Sequence, residues 1–248
     1  MRFYKPKQEA FIPVEFSVAA YRFGHSMVRP VYRLNPTTPE LPIFSTTGPS
    51  LVGFQPFPKD FGIDWGKFFN MDTRPTTGPT RRLPAYKIDT SLVEPLKTLP
   101  PSIAGDPPPS LAERNLLRGL RMGLPSGQVL ALAMGLQPIG DEKLKVGKAT
   151  KDDTPTNKKL TDISAAFTES APLWYYVLAE AQQEFKDDNT PIRLGPLGGG
   201  IVAEVFLGLM LEDRHSFLRQ NPLWKPFSQF RSANGTFGIA ELIRAAQA

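Results

Sequence analysis

The distribution of proline restricts what this 248-residue chain can fold into. Residues 36–109 contain 15 of the 26 prolines. Because proline removes a backbone donor and clashes with the preceding helical turn, this density excludes long helices and disfavours regular strands. Two amphipathic patterns within it, residues 60–71 and 88–99, predict short helices. Aromatic side chains such as Trp65 favour a packed connection over an extended proline-rich linker.

The sequence after residue 110 has helical periodicity and helix-start signals. The predicted helices cover residues 111–122, 127–136, 160–167, 171–185, 194–211 and 237–248. Ser110, Ser126 and Ser170 are the predicted N-caps. The charged segment 141–159 is predicted to be a solvated loop. At this length, and with 41% hydrophobic residues, the chain can bury a sizeable core in one domain or two.

Composition excludes several classes of site. The absence of cysteine rules out disulfides, thiolate haem ligands, iron–sulfur clusters and cysteine zinc sites. The two histidines are too few for a multi-histidine metal site. A net charge of +5, without a concentrated basic face, gives little support to nucleic-acid binding. No 18-residue apolar run or signal-peptide pattern is present, so the expectation is no transmembrane segment and, by default, a cytoplasmic location.

Residues 11–35 form an apolar pattern that predicts a core helix, with Pro13 in its first turn and its end near Pro30. It carries His25, the histidine expected to be buried. One interpretation is a core histidine bonded to a backbone carbonyl, and the other is a haem ligand. Arg22 and Arg29 lie one turn before and after His25, where their guanidinium groups could pair with haem propionates.

Four sequence runs resemble the animal-type haem peroxidases of the peroxidase-cyclooxygenase superfamily, in their bacterial form. The run EFSVAAYRFGHSM (residues 15–27) is similar to the proximal helix, which implies that His25 is the axial ligand of the iron. In RNLLRGLRMGLP (residues 114–125), Asn115 precedes Gly123 by eight residues. This spacing resembles the segment that supplies the hydrogen-bond partner of the proximal histidine. PLWYYVLAEA and GPLGGGIVAEVFLGL are further similar runs, although Gly200 replaces a residue that is commonly basic.

The resemblance implies a mainly α-helical, haem-peroxidase-like fold in a single domain over residues 1–248. It also implies haem b as cofactor, and peroxide reduction with oxidation of an organic or inorganic donor. The distal catalytic residues of the family precede the proximal helix, and His25 follows only 24 residues in this sequence. We therefore expect no catalytic residues in this chain and no peroxidase activity from it alone. The implied partners are a separate distal polypeptide or a second copy of the chain. The alternative is a non-catalytic helical interaction module or a degenerate peroxidase relative.

Overall fold

The computed structural model describes residues 2–6, 9–45, 48–53, 56, 58–75, 77–78, 80–184 and 191–248. The chain divides into two compact units, the first Met1–Val28 with Ala85–Arg219 and the second Arg29–Pro84 with Gln220–Ala248. Helix accounts for 43% and strand for 4%, which confirms the mainly helical class. The single peroxidase-like domain stays a prediction. Among the described residues, no helix has both the length and the apolar character needed to cross a membrane.

The regular elements are mostly short. The helical segment that carries His25, here called the histidine helix, consists of a π-helical part, Glu15–Ala19, and a 3-10 part, Ala20–Met27. The α-helices of the described residues are α1 Glu94–Lys97, α2 Pro101–Ala104, α3 Leu111–Arg121, α4 Gly127–Ala133, α5 Leu160–Ile163, α6 Leu173–Gln182, α7 Pro196–Glu212, α8 Phe217–Gln220 and α9 Ile239–Gln247. Short 3-10 helices cover Lys59–Phe61, Trp65–Lys67, Asp141–Lys143, Ala165–Phe167 and Ser228–Phe230. The strands are β1 Val31–Tyr32, β2 Leu41–Pro42, β3 Lys145–Val146 and β4 Lys158–Lys159.

The helix α6 forms the centre of the first unit. All ten of its residues are buried, as expected for a helix that is apolar almost all the way round. It packs in one hydrophobic core with parts of the histidine helix, α4 and α7. The indole Nε1 of Trp174, on α6, donates a 3.3 Å hydrogen bond to the carbonyl oxygen of Arg22. This bond fixes the histidine helix against α6.

The buried carboxylate of Glu180 on α6 holds the start of α7. It accepts the backbone N–H groups of Leu197 at 2.9 Å and of Gly198 at 3.1 Å. These donors lack partners within their own helix, so an anion there is favoured by hydrogen bonding and by the helix dipole. A Cβ on Gly195 would lie 2.3 Å from the Cγ of Glu180, and one on Gly198 would lie 2.7 Å from a methyl group of Val177. Glycine therefore permits this close approach of the two helices.

The second unit has its own small core and an ion-pair network. Strands β1 and β2 pair antiparallel, with Val31 opposite Pro42. Buried Leu34, Leu41 and Phe61 form the core, with Phe68 packed against it. The guanidinium of Arg74 contacts both carboxylate oxygens of Asp64 at 2.8 Å and also pairs with Asp72.

Several predicted helices are shorter or less regular than the sequence indicated. The 60–71 pattern gives only two 3-10 turns, and the 88–99 pattern gives only α1. The 160–167 helix is interrupted at Ser164, whose backbone is extended. The 127–136 helix ends at Ala133 because Gly135 has a φ of +69°. The extended backbone at Ser164 and the left-handed conformation of Gly135 thus end helices that periodicity alone would extend.

The predicted caps are only partly correct. Ser110 accepts the N–H of Glu113 at 3.3 Å, and Ser126 accepts that of Val129 at 3.2 Å, so both of these N-caps are confirmed. Ser170 is not the cap of α6, because Pro172 directly precedes that helix and no side chain caps it. The predicted end of this helix at residue 185 lies outside the described residues.

Two further expectations were wrong in part. The predicted core helix over 11–35 is irregular and ends at Met27, where Val28 adopts an extended backbone, and Tyr21 is exposed. Segment 141–159 is not wholly a solvated loop, because β3 and β4 pair in it and Leu144 is fully buried. That leucine anchors the start of an otherwise charged segment.

The hydroxyl of Tyr175 on α6 is buried without a hydrogen-bond partner. An unpaired buried hydroxyl costs about 1–3 kcal/mol. We therefore expect Tyr175→Phe to raise the free energy of unfolding by about 1 kcal/mol, as measured by urea denaturation. The neighbouring Tyr176 is the matched control, since its hydroxyl accepts the N–H of Ile139 at 2.9 Å. Tyr176→Phe should lower the free energy of unfolding. Equal changes in the two variants would contradict the conclusion that the hydroxyl of Tyr175 is unpaired.

Candidate functional site

The position of His25 depends on the irregular geometry of the histidine helix. At the junction of its π and 3-10 parts, Ala19 has φ −125° and ψ −73°. Residues three apart eclipse each other in a 3-10 helix, so Arg22 lies directly one turn before His25. Eight residues is long for a 3-10 segment, and such irregular stretches are frequent at functional sites. The imidazole itself is half-buried.

Helix α3 brings Asn115 to this imidazole. Asn115 is only 2% exposed, and its position along α3 is set by the Ser110 cap. The side-chain amide nitrogen lies 3.0 Å from Nδ1 of His25. The structure thus joins two residues that are 90 positions apart in the sequence.

Two proton arrangements satisfy this contact. In one, the amide N–H of Asn115 donates to an unprotonated Nδ1 of His25, and the ring proton is on Nε2. In the other, a half-turn of the amide lets its oxygen accept the Nδ1–H, which leaves the Nε2 lone pair free. Only the second arrangement can bind a metal. Nε2 makes no hydrogen bond with any described residue and is not sealed from solvent.

Burial lowers the pKa of His25 below its usual 6.5, and the positive charge of Arg22 lowers it further. The imidazole is therefore neutral at pH 7. Neutral imidazole is the form that binds metal ions, because the ligating nitrogen must carry a lone pair. The local electrostatics thus favour the ligand form over imidazolium.

Arg22 is held beside His25 by its own helix. Its Nε donates a 2.9 Å hydrogen bond to the carbonyl oxygen of Ser17. Burial lowers the pKa of Arg22, and the nearby charge of Arg118 lowers it further. Arg22 and Arg118 therefore form a pair of like charges, and both line one cavity of about 510 Å³. Such a pair would be stabilised by an anion between them.

Sequence reasoning missed Arg118 and its neighbours on α3. Arg114, Arg118 and Arg121 are spaced by four and then three residues, which places them on one helix face. This spacing could have predicted a basic face on α3, because Asn115 was predicted to lie on the same helix. All three arginines line the cavity together with Arg22.

The other predicted site residue, Arg29, belongs to the second unit. One of its terminal guanidinium nitrogens donates to the carbonyl oxygen of Pro84 at 2.9 Å, and its backbone N–H donates to the hydroxyl of Tyr32 at 3.0 Å. Its proposed contact with a haem propionate stays a prediction. Gly200, where the family resemblance is imperfect, lies on α7, and a Cβ added there would lie 3.4 Å from the methyl group of Met134.

A second cavity, of about 500 Å³, is mainly apolar and also includes Asn115 in its lining. Leu116, Leu120, Phe167 and Trp174 form part of its wall. Leu120 is 77% exposed, so this cavity opens onto an apolar surface. Asn115 therefore lies between a basic cavity and an apolar one.

The described residues contain no group of three or more histidine, cysteine, aspartate or glutamate side chains that could hold a metal ion. A bare ion bound only by protein ligands would need such a group. A metal that arrives with its own equatorial ligands needs only one axial donor from the chain. His25 fits this second requirement.

The lowered pKa of His25 can be tested by NMR titration. We expect proton NMR of the haem-free chain to show His25 titrating below 6.5. Arg22→Ala should raise the pKa of His25, since a positive charge that opposes protonation is removed, but burial should keep it below 6.5. A His25 pKa that is unchanged or lower in Arg22→Ala would contradict this arrangement.

No protein-family model matches the chain, and no curated protein shows significant sequence similarity to it. The resemblance to the animal-type haem peroxidases therefore stays a prediction. The features of the chain that bear on its function are the contact between His25 and Asn115 and the charges around it.

Proposed function

We propose that this chain binds haem through Nε2 of His25 and supplies the proximal side of a peroxidase-like site. The observation that carries the proposal is the 3.0 Å contact between Asn115 and Nδ1 of His25. A histidine that ligates a metal through one ring nitrogen almost always has a partner on the other. The contact engages Nδ1 and leaves Nε2 without a partner among the described residues.

The chemistry of the surrounding residues fits haem. The neutral state of His25 supplies the lone pair, and the amide of Asn115 orients the ring. A neutral amide withdraws the Nδ1 proton less than a carboxylate does, so His25 keeps imidazole rather than imidazolate character. This favours the ferric state less than an aspartate partner would.

Arg22 and Arg118 are the proposed partners for the two haem carboxylates. Arg22 precedes His25 by one 3-10 turn, and Arg118 is three residues after Asn115 on α3. Each would gain a charge-assisted hydrogen bond, and the carboxylates would relieve the repulsion between the two guanidinium groups.

Bound haem would supply a redox-active iron for the reduction of peroxide and the oxidation of a donor. The residues of this chain would bind the iron, orient the imidazole and hold the carboxylates. By resemblance, the acid-base histidine and the arginine of the distal side come from residues that precede the proximal helix. We therefore propose that peroxidase activity requires those distal residues in addition to the proximal side supplied by His25 and Asn115.

A haemin titration followed by absorbance in the Soret region tests this proposal. The wild-type chain should give a saturable, histidine-ligated spectrum that disappears in His25→Ala. Asn115→Ala should retain ligation but weaken it about 10-fold or more, as outer-shell substitutions at metal sites typically do.

His215→Ala is the matched control, because His215 is exposed and lies beyond the end of α7. It should bind haemin as the wild type does. Equal haemin binding by the wild type and His25→Ala would exclude His25 as the ligand in this chain.

A second candidate function is a non-catalytic helical interaction module. It is favoured by large apolar side chains that α3 and α4 leave exposed, such as Leu120 at 77% and Leu132 at 63%. Exposed apolar patches commonly mark protein interaction sites. The occupant we propose for the apolar cavity around Leu120 is a second copy of this chain.

Analytical ultracentrifugation of the haem-free chain distinguishes this candidate. We expect concentration-dependent dimers, and Leu120→Asp should weaken dimerisation about 10-fold or more, because a buried leucine contributes about 1.5–3 kcal/mol. Ile239→Asp is the control, since this exposed residue lies on α9 in the second unit. A wild-type chain that is monomeric at all concentrations would contradict the proposed self-association.

A further inference from the structure

The basic cavity next to His25 contains more positive charge than an axial haem site requires. Four guanidinium groups line its wall, from Arg22 on the histidine helix and Arg114, Arg118 and Arg121 on α3. The carboxylate of Asp106 is the one acidic group in the lining, which leaves a net charge of +3. The cavity volume of about 510 Å³ accommodates a small ligand.

None of these four arginines forms an ion pair with a described carboxylate. Ion pairs with described carboxylates are formed instead by arginines of the second unit, such as Arg74, Arg82 and Arg244. Arg118 and Arg121 also make no side-chain hydrogen bond within the described part of the chain. Among the described residues, only Asp106 offsets the positive charge of the cavity.

Capping of α3 does not account for these side chains. Arginines near a helix C-terminus can bind its last carbonyl groups. Here the backbone N–H groups of Met122, Gly123 and Leu124 already bind the carbonyl oxygens of Arg118, Leu120 and Gly119, at 3.0 to 3.1 Å. Gly123 permits this turn because its φ is +64°. The guanidinium groups of Arg118 and Arg121 are thus available to another ligand.

Two of the arginines are positioned before any ligand binds. A terminal guanidinium nitrogen of Arg114 donates to the carbonyl oxygens of Asp106 and Pro108, both at 2.8 Å. The Nε of Arg22 donates to the carbonyl oxygen of Ser17. Each guanidinium has five N–H donors, so most of them are still free. Positioned arginine forks match the oxygens of phosphate and carboxylate groups.

We propose that this cavity is a binding site for a small multivalent oxyanion of the phosphate or polycarboxylate class. The ligand would neutralise the lining and bridge Arg22 with the α3 arginines. This goes beyond the proposed haem function, because it requires neither haem nor the imidazole of His25. Arg22 and Arg118 are shared by the two proposals, so an oxyanion should compete with haem carboxylates for them.

Isothermal titration of the haem-free full chain with inorganic pyrophosphate and with citrate tests the proposal. The two titrations distinguish phosphate from carboxylate recognition by their relative affinities. We expect saturable binding of one ion per chain that weakens at high salt. Loss of two charged hydrogen-bond donors in Arg118→Ala/Arg121→Ala should weaken it at least about 10-fold.

The charge-matched control is Arg193→Ala/Arg219→Ala, which removes two exposed arginines that do not line the cavity. It should bind as the wild type does. Absence of saturable binding of either ion to the wild type, or equal weakening in both double variants, would overturn the proposal. Circular dichroism of each variant shows whether it folds. The variant Arg118→Lys/Arg121→Lys preserves the charge, and we expect it to bind the ion with intermediate affinity.

A further titration separates this proposal from the haem proposal. His25→Ala should bind the oxyanion as the wild type does, whereas it should fail to bind haemin. Loss of oxyanion binding in a folded His25→Ala chain would show that the two sites are one and would overturn the present inference. Failure of haemin to bind the wild type, with oxyanion binding intact, would instead contradict only the haem proposal.

Discussion

Complete burial of α6 is the constraint on which the first unit depends. A helix with no exposed side must have every polar group satisfied from neighbouring segments. Glu180 therefore accepts the first N–H groups of α7, and Trp174 donates to the carbonyl of Arg22. Each polar group on α6 thus fixes a different neighbour. The unpaired hydroxyl of Tyr175 is the exception on this helix.

The candidate site is a product of this arrangement. The histidine helix is held against α6, and α3 brings Asn115 to the His25 ring. Neither element provides the site alone, because His25 and Asn115 come from distant parts of the sequence. Burial keeps His25 neutral, while Arg22 and the α3 arginines give its surroundings a positive charge. A neutral donor beside a basic cavity suits a ligand that carries both a metal and carboxylates, which haem does.

Features that depend on local sequence could be predicted from the residues themselves, whereas most features that depend on tertiary contacts could not. The Ser110 and Ser126 caps could be predicted because each hydrogen bond joins residues that are only three positions apart. The family resemblance indicated His25 and Asn115 as a pair, and the structure places them in contact. The π and 3-10 geometry of the histidine helix was missed because its apolar pattern fits a regular α-helix equally well. The convergence of Arg22 with α3 was also missed, because it depends on how two helices pack.

The type of helix around His25 has a consequence for the direction of its side chain. A 3-10 helix turns about 120° per residue and an α-helix about 100°. Over the five steps from Ala20 to His25, the difference amounts to a rotation of about 100° around the helix axis. A regular α-helix starting at the same residue would therefore turn the imidazole about a quarter of the circumference away from Asn115. In this chain the winding of the backbone, and not only the identity of its residues, determines whether the histidine meets its partner.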